Sequence, residues 1–417
     1  MKHPMMLSWV LERNDSSVMN KYSGTVLEGI HYKTGERIRL FCEDGKISEI
    51  KVLPITQEKC KERSHPFGEE KEDLPLIGPG LVDLQINGFK GYDFNHRHLT
   101  SETVKSVTRL LRQQGVTSYY PTIITESSEH IERALRTIAT ACAEDLEVAS
   151  MISGVHVEGP YISPKDGARG AHALKWVRKP DFDEFTRWQQ AAEGRIKLIT
   201  LSPEWENAEA FIRHCVAAGI TVSIGHTSVT SSQIKTAVAA GASMSTHFGN
   251  GIQAELPRHP NVLWAQLAAE ELSCCLIADG FHLPEEVLKV ALKVKGDQAL
   301  LVSDAVALCG MPPGYYDTPV GGKVVLTPEG RLHLAESPEL LAGSAQLLTR
   351  GIEQLARSGI CSLERAWDMA SVIPSSKMGL SSARGMEVGA PADVLLASWD
   401  GERFKVLRTY KAGKCSE

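Results

Sequence analysis

From about residue 77 onward the chain alternates short apolar runs with amphipathic segments. Eight runs rich in β-branched and apolar residues follow one another, at 77–88, 117–124, 151–159, 195–204, 220–228, 242–250, 274–282 and 299–307. The segments between them have the apolar spacing of helices, and several end in glycine, as helices prefer. Runs that are nearly continuous in apolar residues are typical of parallel strands covered on both faces. The pattern therefore predicts a series of strand–helix units.

Eight such units in about 230 residues predict an α/β fold with a (β/α)8 TIM-type barrel, a domain of typically ~250 residues. A doubly wound open sheet is the alternative. No GxGxxG follows the first run, which counts against its dinucleotide-binding form.

The two ends of the chain have a different pattern, with short strand-like runs joined by turn dipeptides. We predict that both termini together build a small β-sandwich domain. The expected division is 1–76 for an N-terminal extension and part of this domain, 77–377 for the catalytic barrel, and 378–417 for the remainder of the small domain. The role of the first ~20 residues is not indicated by any pattern that we recognise.

Composition narrows the class of protein. The chain has 417 residues and a net charge of −6, so it lacks the basic surface that nucleic-acid binding requires. Its nine cysteines form no CxxC pair or zinc-finger spacing, which favours reduced thiols in the cytoplasm. The apolar patch near the N-terminus is too short to span a bilayer. We therefore expect a cytoplasmic protein that binds neither nucleic acid nor membrane.

Polar side chains recur where the predicted strands end. They are Asp83, Gln85 and Asn87 in the first run, His156 and Glu158 in the third, His226 in the fifth, His247 and Asn250 in the sixth, Asp279 and His282 in the seventh, and Asp304 in the eighth. A single buried histidine is as often a satisfied core group as a functional one. The whole set is harder to explain in that way, because the chemistry of such barrels takes place at the C-terminal ends of the strands.

One carboxylate and two imidazoles, from Glu158, His226 and His247, form a suitable ligand set for zinc or a similar divalent ion with one position open. Such an ion makes hydroxide available at neutral pH. Asp304 could transfer the proton as general base and acid, or simply cap the following helix. His156 faces the same side of its strand as Glu158 and could be a further ligand or a support for one.

Taken together, "PGLVDLQINGFKGYDF", "HVEGPYISP", "GAH", "IGHT", "THFGNG", "ADGFH", "LVSDA" and "LAGS" resemble the N-acetylglucosamine-6-phosphate deacetylases of the amidohydrolase superfamily, in the same order. The resemblance covers about residues 24–412. The family's fold and activity are thereby implied: a metal-dependent barrel that hydrolyses the acetamide of N-acetylglucosamine 6-phosphate to glucosamine 6-phosphate and acetate.

The resemblance also implies the metal site. Most amidohydrolases carry HxH after the first strand, where this chain has Gln85 and Asn87, a pattern that some deacetylases of the family combine with a single ion. One divalent ion is implied, zinc in the first place, with iron, manganese and cobalt as alternatives. Its ligands would be Glu158, His226 and His247, so Gln85 and Asn87 mark a vacant or supporting position and His156 a supporting one.

The roles toward substrate follow in the same way. Asp304 matches the general base and acid, His172 the histidine that hydrogen-bonds the substrate carbonyl, and Arg258 with His282 the phosphate-binding pair. The remaining matches to substrate contacts are Asn250, Gly251, Ala171, Leu341, Ala342 and Gly343. The family further implies a homodimer in which Arg258 serves the neighbour's site.

This sequence departs from the family pattern around the expected sugar and phosphate positions. Gly249 stands where an aromatic residue is usual, Gly251 replaces an alanine, His259 an acidic residue and Asn261 a glycine. The departures leave several alternatives open: a galacto isomer, an unphosphorylated N-acyl amino sugar, or another amide. A phosphate-binding barrel isomerase or lyase is the alternative from a different class, and it would need no metal ligands.

Overall fold

The computed structural model describes residues 24–54, 74–318 and 322–416. Its strands are β1 (Thr25–His31), β2 (Arg37–Glu43), β3 (Lys46–Val52), β4 (Leu76–Pro79), β5 (Leu81–Ile86), β6 (Gly88–Phe89), β7 (Tyr92–Asp93), β8 (Val116–Ile124), β9 (Val155–Glu158), β10 (Ile196–Leu201), β11 (Thr221–Ile224), β12 (Met244–Ser245), β13 (Ser273–Leu276), β14 (Ala299–Leu301), β15 (Gly314–Thr318), β16 (Gly322–Leu326), β17 (Leu332–Leu334), β18 (Val394–Trp399), β19 (Phe404–Lys411) and β20 (Lys414–Cys415).

The α-helices of these ranges are α1 (Ser101–Arg112), α2 (Ser128–Glu144), α3 (Leu146–Met151), α4 (Phe182–Ala191), α5 (Ala208–Ala217), α6 (Ser231–Ala239), α7 (Val262–Ala268), α8 (Glu285–Lys295), α9 (Leu348–Arg357), α10 (Leu363–Met369) and α11 (Val372–Lys377). Short 3₁₀ helices lie at Leu174–Trp176, Gly296–Gln298 and Ser381–Arg384. The predicted N-terminal extension lies outside the described residues.

Eight parallel strands form the barrel, in the order β14-β13-β12-β11-β10-β9-β8-β5. Each of them comes from one of the eight apolar runs. A parallel bridge between Ile86 and Ala305 joins the first strand of the barrel to the segment that follows the last strand. The predicted (β/α)8 barrel is confirmed, and the open-sheet alternative is wrong.

The local sequence explains the elements of the barrel. Eight of the nine residues of β8 are buried, as expected for a strand covered by helices on one face and by the barrel interior on the other. Helix α1 begins where the Thr100 side chain accepts a hydrogen bond from the backbone of Thr103. Its buried residues have helical spacing: Val104, Val107, Thr108 and Leu111.

The small domain combines both ends of the chain, as predicted. Seven strands form one sheet in the order β20-β19-β18-β4-β1-β2-β3, in which β4 pairs with β1 on one side and with β18 on the other. Lys46 of β3 forms a bridge with Pro391, just before β18, so the N-terminal edge returns to the C-terminal strands around a separate apolar core. The boundaries predicted for the three segments stay predictions; β4 spans the first of them and belongs to the small sheet.

A feature that the sequence patterns did not reveal lies between β14 and α9. Strands β15, β16 and β17 form an antiparallel sheet with its own small core around Leu308, Val324 and Leu326. Among the described residues, no helix is both long and apolar enough to cross a membrane.

Candidate active site

The C-terminal ends of the barrel strands bring four ionisable side chains together. Glu158 is the last residue of β9, His226 and His247 follow β11 and β12 by two residues, and Asp304 follows β14 by three. His226, His247 and Asp304 are three of the seven described non-glycine residues with a left-handed backbone, at φ 48°, 26° and 49°. Such conformations are strained and persist only where the surroundings hold them, most often at functional sites.

Glu158, His226 and His247 form a buried cluster that can hold a divalent metal ion. Nε2 of His247 lies 3.0 Å from Oε1 of Glu158 and 3.0 Å from Nε2 of His226, and the third side of the triangle is 3.3 Å. Ligand atoms on a tetrahedral zinc ion stand about 3.3 Å apart, as follows from bond lengths of ~2.0–2.1 Å. Two imidazole nitrogens in such close contact need a proton or a cation between them, so the donor set fits a metal ion.

Neighbouring groups orient the donor atoms. Nδ1 of His226 lies 3.1 Å from the carbonyl oxygen of Ala168, which can only accept. The ring proton therefore sits on Nδ1, and Nε2 presents its lone pair to the cluster. Burial alone would raise the pKa of Glu158, but the neighbouring His226 and His247 lower it well below its usual value. The carboxylate is therefore charged at neutral pH.

Asp304 lies beside the cluster and is held by two side-chain amides. Nε2 of Gln85 and Nδ2 of Asn87 donate to its Oδ1 at 3.1 and 2.8 Å, and the same Gln85 nitrogen donates to Glu158 at 2.9 Å. Burial and the charge of Glu158 raise the pKa of Asp304 to about 7. A carboxyl group with a pKa near neutrality suits proton transfer in both directions. The two residues in place of HxH thus contact the candidate base directly.

His172 stands on the other side of the cluster. Its Nε2 lies 3.2 Å from Nε2 of His226, and its Nδ1 lies 2.8 Å from the hydroxyl of Thr125. Burial, followed by the neighbouring His226, lowers the pKa of His172 to about 3, so the imidazole is neutral. A neutral imidazole can donate one hydrogen bond to a carbonyl oxygen on the cluster.

His156 lies two residues toward the start of β9, among hydroxyl groups. Its Nε2 is 2.7 Å from Oγ1 of Thr200, which in turn is 2.6 Å from Oγ1 of Thr246. Burial lowers the pKa of His156 to about 4. The three atoms of the candidate metal cluster do not include it, so the structure places His156 in a polar layer of the barrel interior.

Two of the predicted sugar-binding residues, Asn250 and Gly251, lie next to His247 and His226. The side chain of Asn250 donates to the carbonyl oxygen of His247 at 3.2 Å. Gly251 has φ 61°, and a Cβ there would lie 2.8 Å from Nδ1 of His226. An alanine, which the resemblance leads us to expect at this position, would therefore press on the imidazole. Of residues 341–343, Leu341 forms a bridge with His333 of β17, and the next residue after them, Ser344, pairs with Ala305 beside Asp304.

The predicted phosphate pair is less clearly assembled. The Nδ1–H of His282 donates to Asp279 at 2.8 Å, which leaves Nε2 for a ligand. Arg258 is exposed, and its side chain has no hydrogen bond or ion pair within the described part of the chain. Asn261, one of the departures from the family, has a structural role, since its side chain accepts from the backbone of Leu263 and Trp264 at the start of α7.

A cavity of about 400 Å³ opens beside His172. Of the predicted substrate residues, Ala171 and His172 line it. His96 and His98, which form an "HRH" after the first strand, lie at its exposed rim.

The sequence reasoning missed two residues that contact the site. Thr125 follows β8 and contacts His172, and Glu204 follows β10 and contacts the segment after His226. Both stand at strand ends of the barrel, the position that signalled the other residues.

A parallel (β/α)8 barrel with a Glu–His–His cluster and an aspartate at the C-terminal ends of its strands is the architecture of the amidohydrolases. The chain is 33% identical over 363 residues to the N-acetylglucosamine-6-phosphate deacetylase of Bacillus subtilis (strain 168), which covers 85% of this chain and 89% of that protein. No family model matches the chain.

Solved structures agree with this similarity. The N-acetylglucosamine-6-phosphate deacetylase from Thermotoga maritima has a TM-score of 0.78 and 26% identity, covering 94% of this chain and 99% of that one. An aspartate-to-alanine mutant of the Mycobacterium smegmatis enzyme, in complex with N-acetyl-D-glucosamine-6-phosphate, has a TM-score of 0.77 and 25% identity, covering 91% and 94%. The chain belongs to the N-acetylglucosamine-6-phosphate deacetylase family.

Proposed function

We propose that the protein is a metal-dependent deacetylase that hydrolyses the acetamide of N-acetylglucosamine 6-phosphate to glucosamine 6-phosphate and acetate. The observation that carries the proposal is the convergence of the Glu158–His226–His247 cluster with Asp304 at one end of the barrel. The relatives named above, one of them solved with this amino sugar phosphate, support the choice of substrate. A barrel isomerase or lyase would not require this cluster.

Glu158, His226 and His247 would hold one divalent ion, and two nitrogens with one carboxylate oxygen favour zinc, with iron, manganese or cobalt as alternatives. When bound, the ion acts as a Lewis acid on the amide carbonyl and lowers the pKa of the water that attacks it. The side-chain amides of Gln85 and Asn87 are engaged with Asp304, which supports a single ion rather than a pair.

Asp304 would accept the proton of the attacking water and return it to the leaving amine. Both amide donors, from Gln85 and Asn87, bind Oδ1. Oδ2 is therefore the oxygen that takes and releases the proton. The amides also hold the carboxylate plane, so that Asp304 keeps one orientation during both transfers.

His172 would stabilise the negative charge that develops on the carbonyl oxygen. This role requires the tautomer with the ring proton on Nε2, in which Nδ1 accepts from the Thr125 hydroxyl 2.8 Å away. The Nε2–H then faces the cluster beside His226.

Arg258 and His282 would bind the phosphate group, with Asn250, Gly251, Ala171 and residues 341–343 around the sugar. The exposure of Arg258 is compatible with service to a neighbour's site in a homodimer. A cytoplasmic location is supported by the described cysteines, all of which are free thiols.

The test is acetate release by zinc-reconstituted protein from N-acetylglucosamine 6-phosphate, with unphosphorylated N-acetylglucosamine and N-acetylgalactosamine 6-phosphate beside it. Strong preference for the phosphorylated gluco compound would support the proposal. Equal or absent activity on all three would contradict it and would point to a different amide as the substrate.

A further inference from the structure

The loop after β10 contains a largely buried carboxylate that the proposed reaction does not use. Glu204 lies three residues past the end of β10, and its side chain is 13% exposed. It accepts from Oγ of Ser202 at 2.8 Å, from the backbone and Oγ of Ser228 at 3.2 and 2.7 Å, and from Nζ of Lys165 at 3.0 Å. Glu204 is not part of the candidate metal cluster, so these contacts need another explanation.

Ser228, one of these partners, belongs to the segment that directly follows His226. Thr227 joins the same network, because its hydroxyl lies 2.7 Å from Oγ of Ser202. His226 itself has a left-handed backbone at φ 48°. For a non-glycine residue this conformation is unfavourable and must be held by its surroundings. Glu204 contacts this segment at Ser228, on the C-terminal side of His226.

Lys165, a further partner, belongs to the segment that leads from β9 to His172. This segment also touches His226, because the backbone N–H of Ser163 donates to the carbonyl oxygen of His226 at 2.9 Å. Glu204 therefore joins three loops at one point: its own, the loop with His226, and the loop with His172.

The negative charge of Glu204 strengthens the hydrogen bonds that join these three loops. Burial alone would raise its pKa, but hydrogen bonds, from Ser163 and Ser228 first, lower the pKa to about 2. The group is therefore a carboxylate throughout the neutral range, and charge-assisted hydrogen bonds are the stronger kind.

We propose that Glu204 is a positioning residue for the metal centre: its carboxylate holds the Thr227–Ser228 turn and thereby keeps His226 in the geometry of a metal ligand. The contact with Lys165 extends the same support to the His172 loop. The inference rests on the metal centre of the proposed function, but not on the identity of the substrate.

The test measures metal binding by the full chain in the absence of substrate. Zinc affinity is determined for Glu204→Gln by competition with a chromophoric chelator, and the visible spectrum of the cobalt-substituted protein reports the ligand geometry. Because residues that orient metal ligands typically account for 10–100-fold in affinity, we expect about that loss and an altered cobalt spectrum. Glu206→Gln, an exposed glutamate two residues farther on, is the matched control and should bind within about twofold of the wild type.

Circular dichroism of the metal-free variants shows whether they fold. If Glu204→Gln fails to fold, Ser228→Ala removes one of the donors to Glu204 and should lower zinc affinity in the same direction by a smaller factor. Wild-type affinity together with a wild-type cobalt spectrum in the folded variant would overturn the inference. Because no substrate is present, the result is independent of which amide the enzyme hydrolyses.

Discussion

The metal-binding side of the site and its proposed phosphate-binding side differ in how many of their contacts come from within one chain. On the metal side, Glu158, His226 and His247 are at most 7% exposed, and their donor atoms stand within 3.3 Å of one another. On the proposed phosphate side, Arg258 is exposed and without a side-chain partner in the described residues, and His282 is anchored to Asp279.

This difference indicates which part of the site carries the reaction and which part we expect to select the substrate. The metal side consists of residues at strand ends, which the barrel fixes by backbone hydrogen bonds. The phosphate side depends on the loop around 249–261, where this chain also departs from the family. We therefore expect the reaction to depend on the scaffold and the choice of substrate on this loop, which meets the metal side at Gly251.

The largest effect is expected from the metal side. His247→Ala removes one of the three donor atoms of the triangle and should abolish stoichiometric zinc binding, with a fall in kcat/KM of at least about 10³-fold. Metal content by atomic spectroscopy and acetate release are measured on the same preparation. His214→Ala, an exposed histidine on α5, is the control. Retained metal with retained activity would remove His247 from the ligand set.

Asp304→Asn should lower kcat by about 10²–10⁴-fold, because the variant cannot accept a proton from the attacking water. Zinc should still bind, since Asp304 is outside the cluster. Steady-state kinetics and metal analysis together separate this outcome from simple metal loss. A variant with near-normal kcat would show that another group transfers the proton.

Arg258→Ala tests the phosphate side. Loss of a charge-assisted hydrogen bond should raise KM for the phosphorylated substrate by about 10–100-fold. The rate with unphosphorylated N-acetylglucosamine should stay unchanged, and it serves as the internal control. An equal effect on both substrates would mean that Arg258 acts on the fold rather than on the phosphate.

The smallest effect is expected on the free energy of unfolding, through the carboxylate of Glu204. Because the pKa of Glu204 is about 2 when folded and 4.5 in the reference state, its carboxylate favours folding above about pH 5. That contribution is lost as pH falls through 4.5 toward 2. Glu204→Gln should therefore destabilise the metal-free protein by about 2 kcal/mol at pH 7 and by less at pH 3.5. Urea unfolding at both pH values measures the difference in free energy of unfolding between the wild type and the variant. A difference that is independent of pH would contradict a lowered pKa for Glu204.

Much of the site could be predicted from the sequence, because strands of a parallel barrel end at one rim and their polar residues must meet there. Asp304 and Glu158 were found in this way. Thr125 and Glu204 were missed, although they stand at the same rim, because no repeated residue type marked the ends of β8 and β10. The sheet formed by β15–β17 was missed because it packs on its own small core rather than on the barrel.

The sequence by itself determined the barrel and the set of residues at its rim, since apolar periodicity and strand order are properties of the chain. Only the tertiary structure decided their relations: that Gln85 and Asn87 bind one oxygen of Asp304, that His156 lies in a hydroxyl layer, and that Gly251 leaves room for His226. These relations depend on the relative positions, to within about a few tenths of an ångström, of residues far apart in the chain. No local pattern encodes such distances, because they result from how the whole barrel packs.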